Sequence, residues 1–581
     1  MPARAVALLI AIAAVVLPAP SAGAAGPPIM RLADVQPGMH CSVASVIQGT
    51  TISTFDARID DLLRSRDPRG TRILVTFSGP AVDATGIGPG FSGSPLTCTG
   101  ADGVPRIAAA ISEGIGQYGG LRGLATPIEA ILGEPADPPA GAKVATALLR
   151  RARPLGEPHV LSGLTPALAR AFTSAAARAH QTLITAPATA LAAQAPLAPL
   201  VPGSSVAAST VTGDLSSSAI GTVAYVDGDR VWAFGHELDG AGRRSLTLSS
   251  AYVYTVVSNP VASREVDTYK LAAPLDDIGT LVQDGVDGVV GRLGPLPRRF
   301  PVRVVSLDTD RNRRTEIAAQ VADERPVGMP AGGSLAPLLA GVVAQAAYTT
   351  LQGVPAQMSA RLCVRIAIQA RTAPLSFCNT YVGIGGGSSA LAESPLVIDA
   401  GSAGKLLDAF DAGPLAITGI TAGLRLTRSP RLGTLVRAEG PAVVRRGTTV
   451  AVRLTLRRVG GGRFTRTIRV AVPATMPAGP RDLLLTGTPA DGPAQGGGLS
   501  LSDLFGSGAE APAAQSLTDL AKAVSALHHD DALGARFVPV GAQAPTRLPG
   551  GSEGIAQRRR PVFRSDTLRI AGRARVRFDV R

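Results

Sequence analysis

Residues 86–114 read GIGPGFSGSPLTCTGADGVPRIAAAISEG, and the first ten of them decide how the chain is to be understood. Small residues crowd around Ser92 and Ser94, and an apolar run follows. One reading is a turn that needs glycine. The other is a serine lifted out of a tight bend so that its hydroxyl can attack a carbonyl. Such an attack builds negative charge on oxygen, which backbone N–H groups aimed at one point can hold. Glycines on both sides of Ser92 free the backbone to bend without a Cβ clash. The amides of Gly90 and Ser92 then face one pocket as an oxyanion hole, Gly93 admits a close approach, and Pro95 fixes the exit into the next strand. Ser94 is a rival nucleophile, but it follows the bend, where a hydroxyl bonds locally.

A serine hydroxyl needs a base. The chain has six histidines. His40 adjoins Cys41, His159 and His180 fall on a linker or helix, and His528 and His529 end a helix, where imidazoles serve the dipole. His236 differs. It closes the strand of WAFGHELDG (232–240), between Gly235 and an acidic, glycine-rich loop. A histidine at a strand end is placed to be presented as a base, although a plain surface position is also open to it.

Outward from these residues, 581 residues exceed one ordinary domain. With 67 Gly, 46 Pro and 4% aromatics, the composition predicts turns and short strands, a mainly β chain with some α. The start, with Arg4, an apolar run over 5–17 and the Ala22-x-Ala24 site, has the form of a secretory signal peptide over 1–25. Its apolar run is shorter than the roughly 20 residues of a membrane anchor. No later segment reads as a transmembrane helix. Residues 334–352, SLAPLLAGVVAQAAYTTLQ, carry a proline and two glutamines and suit a buried helix capped by Ser334. Export suits four cysteines. Cys363 and Cys378 flank a strand-like stretch and pair locally, which leaves Cys41 with Cys98, although four cysteines allow three connectivities. The absence of C-x-x-C and H-E-x-x-H argues against zinc and thioredoxin chemistry, so neither a metal nor another cofactor is expected. A net charge of +14 invites nucleic acid, but the arginines are scattered and aromatics are few. Loose attraction to anionic cell-envelope polymers is the better expectation.

Along the chain, 27–140 form a β unit carrying the serine motif, with Thr126 and Pro127 as a helix start. Residues 141–200 read as an Ala/Pro-rich helical linker. A second β unit, 201–300, holds the hairpin turned at Asp227-Gly228 and the histidine motif. Residues 301–425 suggest a mixed α/β module. In 426–490 a clean alternation puts Val450, Val452, Leu454 and Leu456 on one face and Arg453 and Arg457 on the other, a β-sandwich-like module. Residues 491–581 read as loop, a helix capped by Ser516 and Asp519, and a terminal strand.

TGIGPGFSGSP (85–95), the hairpin and strand of 102–114, and LATPIEAIL (124–132) resemble the serine-peptidase region of the sporulation protein SpoIVB, peptidase family S55, where a G-M-S-G-S-P turn precedes a short hairpin and a G-A-V strand. The block 202–236 resembles the part of that family that carries the catalytic histidine in an L/F-G-H motif, and 270–294 continue the similarity. The resemblance covers roughly 30–135 and 200–295. It implies trypsin-like, SpoIVB-type β-barrel units, here in permuted order because the serine precedes the histidine. It further implies Ser92 as nucleophile and His236 as general base. The aspartate of the family lies shortly before the serine turn, where Asp83 is nearest, while Asp239 is a local alternative. Phe91 stands in place of the usual methionine, Glu237 follows the histidine where proline is common, and no PDZ-like segment is evident.

Two functions follow. One is an exported serine endopeptidase acting on protein or peptide substrates. The other is a non-catalytic cell-envelope binding or scaffolding protein that keeps the fold. A catalytic reading requires two distant β blocks to meet face to face.

Overall fold

The computed structural model describes residues 26–64, 70–116, 119–134, 143–144, 152–155, 159–187, 199–258, 268–327, 335–487, 499–506, 514–528, 533–541, 560–563 and 568–581. The signal-peptide segment, Ser334 and His529 lie outside the described residues. The chain is mainly β.

Strands β1 (His40–Gln48), β2 (Thr51–Arg64), β3 (Thr71–Ser78), β4 (Pro95–Thr99), β5 (Pro105–Ile115) and β6 (Arg122–Pro127) pair in the circuit β1-β4-β5-β6-β3-β2, and β2 returns to β1. The sheet closes into a six-stranded barrel. Alternation explains the closure: Phe55, Ala57 and Ile59 along β2 turn inward at every second position and meet Ile73, Val75 and Phe77. Cys41 and Cys98 face each other across β1 and β4 and form a disulfide. Helix Ile128–Leu132 follows β6. Thr126 does not cap it, because its hydroxyl donates to the Gly235 carbonyl of the second barrel, and Pro127 stands at the N-cap instead.

Residues 141–200, expected as a helical linker, contain the helix, but their other described stretches pair into the sheets. Strand β7 (Lys143–Val144) pairs with β2, and β8 (Ala152–Pro154) pairs with β5. Strands β9 (His159–Ser162) and β10 (Leu183–Ala186), joined by the helix Pro166–Arg178, extend the next sheet. Backbone hydrogen bonds, which a short stretch can offer without an apolar pattern, overrode the composition.

Strands β11 (Ser205–Gly213), β12 (Ser216–Asp227), β13 (Arg230–Ala233), β14 (Gly242–Ser258), β15 (Thr268–Gly285) and β16 (Gly288–Leu293) make a second closed circuit, β12-β13-β16-β15-β14-β11, with β11 returning to β12. The β12–β13 hairpin turns through Gly228 and Asp229, bracketed by the pair Asp227 and Arg230. The region 301–425 is no separate sheet. Strand β18 (Arg313–Ala322) pairs with β11, and β17 (Arg299–Asp308), β21 (Ile417–Thr427), β19 (Met358–Ile368) and β20 (Leu375–Ile384) continue the same sheet. Helices Leu335–Leu351 and Pro395–Asp408 cover this extension, and the first is apolar nearly all round because it is buried. Cys363 and Cys378 are cross-strand partners joined by the second disulfide.

Two further sheets enclose one core. Strands β22 (Leu432–Glu439), β24 (Thr449–Arg458), β25 (Arg463–Ala471) and β29 (Arg569–Ala571) form one, and β23 (Val443–Val444), β26 (Gly479–Thr486), β27 (Leu533–Pro539), β28 (Arg560–Phe563) and β30 (Arg573–Val580) the other. The terminal strand is therefore part of the sandwich. Ser516 caps the helix Leu517–Ala526 by accepting from the Asp519 amide. Among the described residues, no helix is long and apolar enough to cross a membrane.

Candidate active site at the seam between the barrels

The two barrels meet where the glycine-rich bend between β3 and β4 lies against β12, β13 and β15. Gly93 has φ +90°, and a Cβ built on it would stand 1.9 Å from the Thr222 carbonyl oxygen and 2.6 Å from the Phe234 nitrogen. Only glycine permits this backbone-on-backbone contact. Gly90, at φ +95°, gives the bend its other left-handed residue.

Three successive carbonyls of the bend around Ser92 are held by hydrogen bonds. The Gly90 carbonyl accepts from Thr222 Oγ1 at 2.9 Å, the Phe91 carbonyl from Ser94 Oγ at 2.6 Å, and the Ser92 carbonyl from the Thr222 amide at 2.8 Å. A peptide plane fixed at its carbonyl has its amide fixed as well. Behind them Lys270 Nζ donates to Ser45 Oγ at 2.8 Å and to Thr222 Oγ1 at 3.2 Å, and lies 4.6 Å above the centre of the Phe91 ring. Ser45 and Ser94 hydroxyls bond to each other at 2.7 Å. Lys270 is fully buried, and loss of hydration lowers its pKa to about 7. Ser94, the rival nucleophile, is thus committed to a local bond within a satisfied network.

Ser92 is fully buried. Its Oγ donates to the Leu155 carbonyl at 3.3 Å, and the Gly90 amide donates to the same oxygen at 3.1 Å. A hydroxyl and an oxyanion-type amide therefore converge on one carbonyl.

His236 reaches the seam by another route. It follows Phe234 and Gly235, whose φ values are +69° and +67°. A left-handed phenylalanine is rare and strained, and such strain persists where the surroundings over-determine it. Here the Phe234 amide donates to Thr222, the residue that holds the Ser92 carbonyl, and the Gly235 carbonyl accepts from Thr126. The imidazole is buried. Its Nδ1–H donates to the Glu237 carbonyl at 2.5 Å, while Nε2 has no hydrogen-bond partner. Burial pulls its pKa down to about 4, the Glu237 carbonyl opposes this, and the Arg72 charge adds to it. Arg72 itself bridges the barrels, donating to Glu113 of β5 at 3.3 Å and to Asp287 at 3.0 Å. His236 is therefore a neutral imidazole whose lone pair lies on Nε2.

The structure brings Ser92, Gly90 and His236 to one seam but forms no Ser92–His236 hydrogen bond. Neither expected carboxylate orients the imidazole. Asp83 is exposed and closes its own turn by accepting from the Gly79 amide at 2.8 Å. Asp239 Oδ1 accepts from Arg244 Nη1 at 2.6 Å. The main-chain carbonyl of Glu237 takes that position. Sequence reasoning missed Thr222, Lys270, Ser45 and Leu155. Lys270, a cation inside the apolar run 269–274, was the one visible signal among them. Among the described residues, no group of His, Cys, Asp and Glu is placed to hold a metal ion. No protein-family profile, curated protein or solved structure matches this chain.

Proposed function

We propose that the chain is a serine endopeptidase of SpoIVB type, with trypsin-like paired barrels in permuted order, exported and acting on protein or peptide substrates. The observation that carries this reading is the convergence of the Gly90 amide and the Ser92 hydroxyl on one carbonyl oxygen, in a seam that also buries a neutral histidine. Ser92 Oγ attacks a peptide carbonyl, and His236 Nε2 takes its proton and returns it to the leaving amine. The Gly90 and Ser92 amides hold the oxyanion.

The Glu237 carbonyl fixes the tautomer that this mechanism needs, but it brings no negative charge to the imidazolium formed in the transition state. Arg72 opposes that cation further. Both effects make turnover slow. The missing Ser92–His236 hydrogen bond favours a second reading, a cell-envelope binding or scaffolding protein that keeps the fold. In either case the partners expected beyond peptide are anionic envelope polymers.

Fluorophosphonate labelling separates the two. The native chain takes one label, and Ser92→Ala takes none. His236→Ala labels at least about a hundredfold more slowly, the usual contribution of a positioned base. Equal labelling of all three proteins rejects the peptidase reading.

A further inference from the structure

His236 is aimed by a main-chain carbonyl, and that carbonyl is itself held from behind. The peptide group joining Glu237 to Leu238 offers its oxygen to His236 Nδ1 at 2.5 Å, and its N–H donates to Asp284 Oδ1 at 2.7 Å. The other carboxylate oxygen, Oδ2, accepts from the Asp239 amide at 3.0 Å and the Ala241 amide at 3.2 Å. One side chain therefore fastens three amides of the loop that follows the histidine. The shortest of the three bonds goes to the peptide that holds the imidazole. Asp284 stands on β15 opposite Val289 of β16 and is buried in the wall of the second barrel.

An anchor for the loop alone would be served by any of these amides. The Leu238 amide differs, because the amide and carbonyl of one peptide share a resonance and respond together. A negative acceptor on the N–H pushes electron density toward the carbonyl oxygen, and hydrogen bonds linked in this way strengthen one another where the dielectric is low. The Glu237 oxygen is thereby a stronger acceptor for Nδ1–H. We propose that Asp284 is the positioning carboxylate of His236, acting through the Glu237–Leu238 peptide: it fixes the ring and lends the imidazolium, at one peptide's remove, the negative charge that the carbonyl alone lacks. The proposal rests on the serine-peptidase reading above. When Ser92 Oγ gives its proton to His236 Nε2, Asp284 takes none and stays ionised, as an orienting carboxylate does when it bonds to the imidazole directly.

The charges around this relay set what its removal does. Arg244 Nη1 lies 3.7 Å from Asp284 Oδ2 and 2.6 Å from Asp239 Oδ1, and its other nitrogens hold Glu324 at 2.8 and 2.9 Å. One guanidinium thus serves three carboxylates. Burial pushes the Asp284 pKa up, the neighbouring Asp239 carboxyl adds to this, and the three amides pull it back. From the first barrel the imidazole meets the opposite sign in Arg72, which Glu113 and Asp287 compensate. Loss of the Asp284 charge therefore lowers the His236 pKa, whereas a loosened loop admits water and raises it toward 6.5.

Those opposite signs make the test. Full-length native chain, Asp284→Asn and Asp239→Asn are labelled with a fluorophosphonate across the acid range, with Ser92→Ala as the blank and thermal unfolding followed beside each. Asp284→Asn should label at least about tenfold more slowly on the plateau, a smaller loss than removal of a directly bonded triad carboxylate brings. Its acid limb should move below that of the native chain. Asp239→Asn takes an exposed charge from the same cluster and spares the relay, so it should label within about twofold of native with its limb unmoved. Replacing Leu238 by its α-hydroxy acid analogue deletes one N–H and keeps every side chain. It should also slow labelling and lower the limb, and it carries the test if Asp284→Asn does not fold. Slowing with a limb that stays or rises shows a loosened loop and overturns the proposal. Labelling at the native rate in Asp284→Asn or in the Leu238 analogue overturns it too, as does equal slowing in Asp239→Asn. A native chain that takes no label overturns the peptidase reading beneath it.

Discussion

The seam between the barrels and the core of the C-terminal sandwich are both buried and are built from opposite materials. In the sandwich, Val450, Val452, Leu454 and Leu456 face Ile468, Val470, Leu483, Leu485 and Phe578, while the intervening arginines of β24 point to water. Pattern, propensity and burial agree there, as they do where a sequence serves only its fold. The seam buries Ser45, Ser92, Ser94, Thr222, His236 and Lys270. Burying such groups costs free energy unless each is bonded, and all but His236 Nε2 have a hydrogen-bond partner. A chain able to pack β24 so simply has placed polar groups at the seam for another reason. Among these six residues, the one unpartnered atom is the one a base would use.

The sharpest way to break this contrast is a single methyl group. In Gly93→Ala the new Cβ meets the Thr222 carbonyl oxygen at 1.9 Å, at a backbone φ of +90° that alanine resists. Neither backbone can yield without parting the barrels, so the loss should exceed about 4 kcal/mol and remove both folding cooperativity and labelling at Ser92. Its counterpart in the sandwich, Leu454→Ala, leaves a cavity and costs about 3 kcal/mol. That variant should lower the thermal midpoint of its own module and leave Ser92 labelling unchanged. Denaturant unfolding followed beside labelling checks both, and a Gly93→Ala protein with native stability would mean that the barrels do not touch at this point.

Acidity sharpens the comparison next, because the side chains clustered between the two sandwich sheets are apolar, and the buried Asp482 on β26 has its pKa lowered rather than raised, with Arg577 and Arg575 beside it. The pKa of Lys270 falls from 10.5 to about 7 on folding and that of His236 from 6.5 to about 4, both chiefly through burial. The native state therefore binds fewer protons than the unfolded chain between each pair of values, and stability rises with pH there. Acidification through 10.5 to 7 should cost on the order of 5 kcal/mol at the Lys270 site. A further loss of about 3 kcal/mol at His236 should follow between 6.5 and 4. Lys270→Met should flatten the first slope and leave the second. The same depressed value keeps His236 a base down to about pH 4, so the acid limb of activity should lie near 4 rather than near 6.5. An acid limb near 6.5 would place the imidazole in water.

What could be read in the sequence divides along the same line. Ser92 was legible because its neighbours had to be glycine: Gly90 and Gly93 occupy left-handed backbone that other residues avoid. The β24–β25 hairpin was legible from alternation, and the Cys363–Cys378 bridge from its short separation, although the stretch between the two cysteines is the hairpin of β19 and β20 rather than one strand. Leu155 was not, because Ala-Arg-Pro-Leu carries no periodicity and stands in a run whose composition reads as linker. Three residues of strand and two carbonyl contacts define its place, and those partners lie in the Ser92 bend and β5. Lys270 was visible only as an odd cation in an apolar strand, since what it holds, Ser45 and Thr222, is remote in sequence. Asp83 was chosen by its position before the serine, and a turn-closing bond to Gly79 uses it instead. The division of 201–425 into two modules failed for a related reason: the β11–β18 pairing that fuses them joins strands about a hundred residues apart.

The smallest expected change in stability comes from the outer face of the sandwich. Arg453 and Arg457 on β24, with Arg463 and Arg469 on β25, are exposed and share one face: Arg457 pairs with Arg463, and Arg469 lies opposite Ala451, two residues from Arg453. Arg457 and Arg463 repel each other directly across the strands, while Arg453 lies opposite Glu439 of β22, so the four add little net stability to the sheet. Changing all four to glutamine should therefore move the unfolding free energy by no more than about 0.5 kcal/mol per position in either direction, as surface substitutions do. Binding should respond far more. A face of clustered arginines attracts anionic polymer through long-range, salt-screened forces. The quadruple variant should elute from a polyphosphate or heparin column at clearly lower salt than the native chain, with labelling of Ser92 unaltered. Unchanged elution would move the polymer contact to some other part of the +14 charge. A large loss of stability would show that these arginines pack rather than solvate, and the sandwich would then resemble the seam more closely than its alternation suggests.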